Sequence, residues 1–437
     1  MKLSLPSRWF LALLILAGLA GWILTGLVTY ARLIYFGLVP VIITAPWALL
    51  SMRGVRFQRG ARTLRASVGE MFAEHFEIRK VAWPASIWLE VLNQSNLPKA
   101  AGSQLLMRIS AQQGRYYSAR TLLTQRGAFL LGPTTLTTGD PIGLFTIQKH
   151  FPATDTLVVL PMTFPISTFP PPPGFLPGGN AIRMRTADMT PHAVGVREYI
   201  PSDPMKRIHW PSTARRGRFM VKEFEQDPQA NIWLFLDADR TVRSFLKDPE
   251  SDQEEIWWQH RRKIALPCDT FEYGVSAAAS LANFFLADRR AVGLACAAGK
   301  STIVSAERGV RQVNKIMETL AFLQPEGTMP LLGLVDMQAK FLPVGSGVIL
   351  ITSSTRPHLL LAADDLKRRN LRPVVVLIKS ETFGGADGSE QMAATLLGSN
   401  IPVCQVGFGD DLGVQLALPA VYFQHSYMPK SYFEIRV

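Results

Sequence analysis

The chain has 437 residues, 48% of them hydrophobic, and carries 46 Lys and Arg against 34 Asp and Glu, a formal net charge of +12. That length and apolar content support two or three domains with substantial cores. The placement of the charge argues against a nucleic-acid binder: Lys2, Arg8, Arg32, Arg53, Arg56, Arg59, Arg62 and Arg65 all precede the first acid, Glu70, so most of the excess belongs to the amino-terminal segment.

Trp9 to Thr29 is uncharged and long enough to cross a bilayer as a helix, and Leu33 to Leu50 is a second uncharged run just long enough to do so. Only Tyr30-Ala31-Arg32 separates them, which predicts an antiparallel two-helix transmembrane hairpin, with Pro40 and Pro46 kinking the second helix. A cleaved signal peptide is the competing reading, with Lys2 and Arg8 before the first apolar run and Ala17-Gly18-Leu19-Ala20 as small residues. The second apolar run and the arginines after it favour retention. Positive charge at both outer ends predicts a two-pass protein of the plasma (inner) membrane with its soluble domains in the cytoplasm. Arg53, Arg56, Arg59, Arg62 and Arg65 recur every third residue, either as topology determinants or as guanidinium groups held near anionic lipid. Residues 1–60 form this hairpin and its basic juxtamembrane segment.

Residues 61–168 break into short runs rich in β-branched and apolar residues: Phe72 to Ile78, Ser86 to Leu92, Leu105 to Ser110 and Thr156 to Leu160. Turn signals at Asn93-Gln94-Ser95-Asn96, Gln113-Gly114, Gly132-Pro133 and Gly139-Asp140-Pro141 punctuate them, which predicts an all-β, sandwich-like domain acting as spacer or platform. Asp140 reads as a turn residue.

Residues 169–229 open on Phe169-Pro170-Pro171-Pro172-Pro173-Gly174 and Pro177-Gly178-Gly179, a semi-rigid polyproline linker. Next comes VREYIPSDPMKRIHWPSTARRGRFMVKEFE, from Val196 to Glu225. Pro201-Ser202-Asp203-Pro204 predicts a tight turn between extended runs. Strand periodicity would bury Ile208 and Trp210 and turn Lys206, Arg207 and His209 outward. Ser212 to Gly217 fits one helical turn closed by glycine. Its arginines are either a solvated basic face or a docking surface for carboxylates, phosphates or an acidic partner. Arg197, Glu198, Tyr199, Pro201, Asp203, Arg207, Ile208, Trp210, Ala214, Arg215, Gly217 and Val221 closely resemble the signature of the domain of unknown function 58 family. Gln125 to Pro133 and Gly139 to Phe145 are also similar to what precedes that signature in the family. The resemblance implies a β-rich region between membrane helices and a von Willebrand factor A-like domain. On the docking-surface reading, Arg197, Asp203, Arg207, His209, Trp210, Arg215 and Arg218 are the candidate partner-contact residues.

Residues 230–437 alternate strand and helix patterns, predicting a doubly wound α/β sheet. Strands are expected at Asn231 to Leu236, Ala291 to Ala297, Val348 to Thr352, Val374 to Ile378 and Pro402 to Val406, with helices at Phe271 to Ala287, Val310 to Leu323 and Leu359 to Asn370. Arg243 to Pro267, with Trp257-Trp258, reads as an insertion, and Phe383 to Ser389 as a mobile loop. The implied von Willebrand factor A-like fold carries a metal-ion-dependent adhesion site beginning D-x-S-x-S. Here Asp237 matches, while Asp239 and Thr241 replace the serines, so Mg2+ would find a degenerate ligand set. Where the fold commonly has an aspartate after the fourth strand, this chain reads Thr352-Ser353-Ser354-Thr355. The alternative role for Asp237 is capping or hydrogen bonding at the strand end.

Enzymatic motifs are missing. Gly299-Lys300-Ser301 lacks the earlier glycine of a phosphate loop, and no G-x-S-x-G elbow occurs. Cys268, Cys296 and Cys404 are widely spaced and fit a reducing compartment. The expectation is a non-enzymatic, membrane-anchored adaptor in contact with the lipid bilayer, and the resemblance names a MoxR-type AAA+ ATPase as its partner. The alternative is a metal-dependent hydrolase using Asp237 or the Asp203/His209 pair.

Overall fold

The structure, a computed structural model, describes residues 2–3, 5–110, 112–169, 193–200, 205, 208–224, 231–246 and 266–417. Most of the polyproline linker, the Pro201 to Pro204 turn with Asp203, Lys206 and Arg207, and residues 247–265 of the insertion lie outside them. The chain divides into two units: residues 1–162, 253–267 and 317–323, and residues 163–252, 268–316 and 324–437.

The first unit begins with β1 (Lys2–Leu3), α1 (Leu5–Thr25) and α2 (Val28–Ser51). The break falls at Gly26-Leu27 and not at Tyr30-Ala31-Arg32: Gly26 takes φ +64°, which glycine tolerates, and Leu27 is extended, so Arg32 sits inside α2. Gly21 lies against Tyr30, and Gly37 against Leu14 and Ile15, so the two helices run antiparallel. Val28–Ser51 is long and apolar enough to cross a membrane, and Trp9–Thr25 is a shorter apolar helical stretch.

Ten further strands follow in this unit: β2 (Val55–Ala61), β3 (Arg65–Ser67), β4 (Met71–Lys80), β5 (Ser86–Asn93), β6 (Gln104–Ile109), β7 (Gly114–Leu122), β8 (Gly127–Leu131), β9 (Thr134–Gly139), β10 (Phe145–Phe151) and β11 (Asp155–Leu160). They form sheets ordered β1-β10-β9-β5-β6, β2-β4-β7 and β3-β11-β8. Strand alternation builds the core. Val55 and Ile78 from the second sheet meet Leu89, Val91, Ile109 and Leu136 from the first, so the two sheets pack face to face. The same alternation breaks up the arginine stripe: Arg56 faces solvent, but Arg59 turns inward, 3.3 Å from Asp155 and 4.0 Å from buried Glu74. Desolvation raises the Glu74 pKa, and Arg59 opposes that rise.

The second unit contains β12 (Ala193–Glu198), α3 (Trp210–Arg216) and β13 (Met220–Phe224), followed by β14 (Ile232–Leu236), α4 (Thr270–Ala287), β15 (Val292–Ala298) and β16 (Lys300–Glu307). Then come α5 (Val310–Phe322), whose end is grouped with the first unit, α6 (Leu331–Gln338), β17 (Gly347–Thr352), α7 (His358–Arg368), β18 (Arg372–Ile378), α8 (Ser389–Gly398), β19 (Val403–Val406) and α9 (Leu412–Ala417). The large sheet is ordered β16-β15-β14-β17-β18-β19, parallel except for the edge strand β16. Its central strands, IWLFL, GVILIT and RPVVVLI, are buried almost throughout, as strands covered on both faces must be. Trp233, Phe235, Leu350 and Val375 pack under α6, α7 and α8, while Gly274 brings α4 close to Leu236, Ile351 and Ile378 on the other face.

Further elements differ from expectation. Lys300 to Glu307 is a strand, and Gly299 is its hairpin turn. α6 and α8 were not foreseen. Phe383 to Ser389 is a built loop: Phe383 is buried, the Ser380 hydroxyl donates to the Ala386 carbonyl at 2.6 Å, and the Ser389 hydroxyl donates to Glu381 at 2.6 Å.

Candidate functional site

The signature folds as a ribbon with a helical turn. β12 and β13 pair antiparallel, with Arg197 opposite Val221 and Glu198 opposite Met220. α3 starts at Trp210 with Pro211 in its first turn and closes at Gly217, whose φ of +64° makes the left-handed cap. The helix begins one residue after His209, so strand periodicity lapses there: Ile208 is buried but Trp210 is exposed. The Ser212 hydroxyl lies 2.7 Å from His209 Nδ1, and the Met220 amide donates to Thr213 Oγ1 at 3.0 Å. Arg215, Arg216 and Arg218 are exposed, and Arg218 reaches Glu198 at 2.8 Å, an exposed pair that contributes little to stability. Ile200, Met205, Trp210 and Phe219 are exposed beside these arginines in the sequence. The ribbon thus shows solvent a mixed basic and apolar surface. Asp203 and Arg207 lie outside the described residues.

The second constellation stands at the carboxyl ends of β14 and β17. These are the two strands between which chain order reverses, the place where open α/β sheets leave a ligand-accepting crevice. Asp237 follows β14 and Thr352 ends β17, and the Thr352 hydroxyl donates to Asp237 Oδ2 at 2.6 Å. Asp237 Oδ1 accepts from the Asp239 amide at 3.1 Å, and Asp239 Oδ1 accepts from the Thr241 amide at 2.9 Å, so each carboxylate folds the loop ahead of it. Arg356, just before α7, donates to Thr241 Oγ1 at 3.0 Å. The Ser353 hydroxyl donates to the Val242 carbonyl at 2.7 Å. Gly327 passes against this loop, donating to the Ala238 carbonyl and accepting from the Arg240 amide, each at 3.0 Å. Behind it, Arg243 makes a bidentate pair with Asp269, which also caps α4 by accepting from the Phe271 amide at 2.9 Å.

Desolvation pushes the Asp237 carboxyl from its ordinary value near 3.8 up to about 6. The Thr352 hydroxyl and Asp239 amide oppose that rise, Asp239's charge adds to it, and Arg356 opposes it. The cleft lined by Asp237, Asp239, Arg243, Thr270, Pro325, Thr352 and Ser353 holds only about 10 Å³, room for roughly one water.

The structure therefore brings Asp237, Asp239 and Thr241 together, but their fit to a divalent ion is poor. The Thr241 hydroxyl is already held by a guanidinium, which would repel a second cation, and the Thr352 hydroxyl spends its proton on an Asp237 oxygen that a metal would need. Among the described residues no group of three or more His, Cys, Asp and Glu has metal-binding proximity. Sequence reasoning missed Arg356. Its only signal was a basic residue four positions beyond the end of β17.

The family profile described as Protein of unknown function DUF58 matches residues 195–254. A curated relative, the Uncharacterized protein YeaD of Bacillus subtilis (strain 168), is 24% identical over 198 residues, 44% of this chain. The chain covers 42% of that relative's length. Among solved structures, a CARDB domain from Pyrococcus furiosus in complex with di-metal ions overlaps 24% of this chain and 91% of its own at 9% identity, with a TM-score of 0.19. An alkylpurine DNA glycosylase from Pseudomonas fluorescens overlaps 35% of this chain and 42% of its own at 13% identity, with a TM-score of 0.17. Overlaps of that size carry no argument about fold or ligand.

Proposed function

We propose, from the premise of the family match across residues 195–254, that this chain is a two-pass, cytoplasm-facing membrane protein that binds another protein as an adaptor. A MoxR-type AAA+ ATPase is the partner that the family resemblance implies. The observation that carries the reading is the strand-end constellation: a cleft of about 10 Å³ is far below the several hundred Å³ of a small-molecule site, while exposed Arg356 stands beside it with one face on Thr241. A surface contact suits that geometry better than turnover. The sheet order, the antiparallel edge strand and the carboxylates after β14 support a von Willebrand factor A-like domain. The departures at Thr241 and Thr352 favour a contact made through Arg356 and exposed Arg240 toward an acidic group, without Mg2+. The exposed Arg215, Arg216, Arg218 and Trp210 of the ribbon form a second contact.

Membrane anchoring draws on Val28–Ser51 and on the many large apolar side chains that both helices expose, among them Trp9, Ile23 and Phe36. The charge bias of the first 69 residues supports the cytoplasmic orientation.

The test is capture of partners from native membranes in mild detergent, comparing wild type with Arg356→Glu and with Asp237→Ala, each with magnesium or with a chelator. The adaptor reading expects an AAA+ ATPase in the wild-type capture, retained with the chelator and lost on Arg356→Glu. If wild type captures no ATPase under any condition, the reading falls. Loss with the chelator alone would restore a metal to the site. A metal-dependent hydrolase using Asp237 would instead show turnover that Asp237→Ala abolishes.

A further inference from the structure

We propose that the end of the β-rich unit from which the two helices emerge is itself a membrane-docking face, with Trp83, Val81 and Ile142 seated at the boundary between lipid headgroups and acyl chains. The inference rests on the membrane-anchored reading above and adds a surface that no helix supplies.

No linker separates α2 from the β-rich unit. Ala48, Ser51 and Met52, at the end of the helix, are buried, and Met52 belongs to the same core cluster as Val55, Ile78 and Leu136. Lys80, itself buried, donates its ammonium to the Ser51 carbonyl at the helix C-terminus and to Ser86 Oγ, the latter at 2.9 Å. Just past the end of β4, the Val81 amide donates to the Gly54 carbonyl at 3.1 Å. The other outer end of the hairpin arrives at the same place. β1 pairs with the first residues of β10, Lys2 opposite Thr146 and Leu3 opposite Phe145, so α1 starts beside the turn from Asp140 to Leu144.

The loop from Val81 to Ala85 and the turn from Asp140 to Leu144 share this end because β5 runs antiparallel to β9. Leu89 lies opposite Thr138 and Asn93 opposite Thr134, so the start of β5 adjoins the finish of β9. Both connections expose large apolar residues: Trp83 is 72% exposed, Ile142 69% and Val81 54%. Scattered singly, such residues would be unremarkable on a soluble surface. Here they flank the exit of two apolar helices, and Trp83 packs edge to face with Trp47 of α2 at 6.0 Å, extending the helix's own aromatic surface sideways. Tryptophan favours this depth, where its ring is apolar and its N–H stays wet. Arg53 and Arg56, both exposed, follow the helix directly and can reach lipid phosphates. A bilayer is therefore the occupant whose chemistry fits: apolar at Trp83, Val81 and Ile142, and anionic at the arginines.

The experiment uses the full chain reconstituted in vesicles of phosphatidylcholine and phosphatidylglycerol. On a Cys268→Ser background, Trp83→Cys, Ile142→Cys and Gln94→Cys are each labelled with an environment-sensitive fluorophore. Gln94 is exposed and follows the eight-residue β5, about 25 Å along the strand from its start. Flotation with the vesicles is scored first, then quenching by lipids spin-labelled near the headgroup. The expected result is flotation, with quenching at positions 83 and 142 several-fold greater than at 94. Should Trp83→Cys not fold, Val81→Cys replaces it, and Ile142→Cys tests the other turn independently. Flotation with equal quenching at all positions overturns the docking face and leaves the anchor standing. Absence of flotation overturns both.

Discussion

Asp237 is the residue where chemistry and stability pull apart. Its folded pKa, about 6, lies above its ordinary value near 3.8, so the folded state binds the proton more tightly than the unfolded chain. Its contribution is therefore fully present below about pH 4 and is lost as pH rises through about 6. Asp237→Asn has no charge to lose and keeps an acceptor for the Asp239 amide. Relative to wild type it is expected to gain stability progressively from pH 4 to 7, reaching about 1–3 kcal/mol. Part of the residue remains open to solvent, which favours the lower figure. Denaturant unfolding at several pH values checks this, and a difference that stays flat across the range would mean that the carboxylate is not desolvated. If the same substitution also spares capture of the proposed partner, Asp237 shapes the loop and lies outside that proposed contact.

At the scale of elements, the strand-end loop depends on a close backbone approach. A Cβ on Gly327 would lie 2.6 Å from the Ala238 carbonyl oxygen and closer still to that of Ala297, both of them backbone atoms that cannot swing aside. Gly327→Ala is therefore expected to cost about 1–3 kcal/mol, in the range of core overpacking, and to weaken capture of the proposed partner by displacing Asp239 and Thr241. A lowered denaturant midpoint together with reduced capture is the expected outcome; an unchanged midpoint would show that the segment can move away freely. A hydrogen-bonding role for Asp237 at the strand end was legible locally, and its carboxylate does accept from the Asp239 amide. Gly327 was not, because its neighbours Ala238 and Ala297 lie far away in sequence and only the sheet brings them together.

For the first unit taken whole, α2 is joined to the β-rich part through buried contacts. A chain beginning at Arg53 loses Ala48, Ser51 and Met52 and leaves the Lys80 ammonium without the Ser51 carbonyl. In detergent it is expected to be less stable than one beginning at Pro40 by about 2–4 kcal/mol, from the lost apolar burial and the broken charged hydrogen bond. Denaturant unfolding of the two forms decides it, and equal stability would mean that α2 is only tethered. Burial already pushes the Lys80 pKa down to about 8, so the ammonium has little favourable interaction to spare.

Some features followed from the sequence alone because their physics is local. The two uncharged runs fall largely within helices, continuous apolar runs become central parallel strands, and proline before arginines closed by glycine makes a capped helical turn. Other features waited on tertiary structure because they depend on partners distant along the chain. The helix break moved to Gly26, where a positive φ is tolerated, and Arg59 turned inward because strand alternation overrode its place in a basic stripe. Trp210 faced solvent because a helix started where a strand had been expected. Most consequentially, Thr352 and Arg356 came to Asp237 and Thr241 from more than a hundred residues away. Sequence could identify the carboxylates; only the reversal of strand order between β14 and β17 placed a hydroxyl and a guanidinium against them.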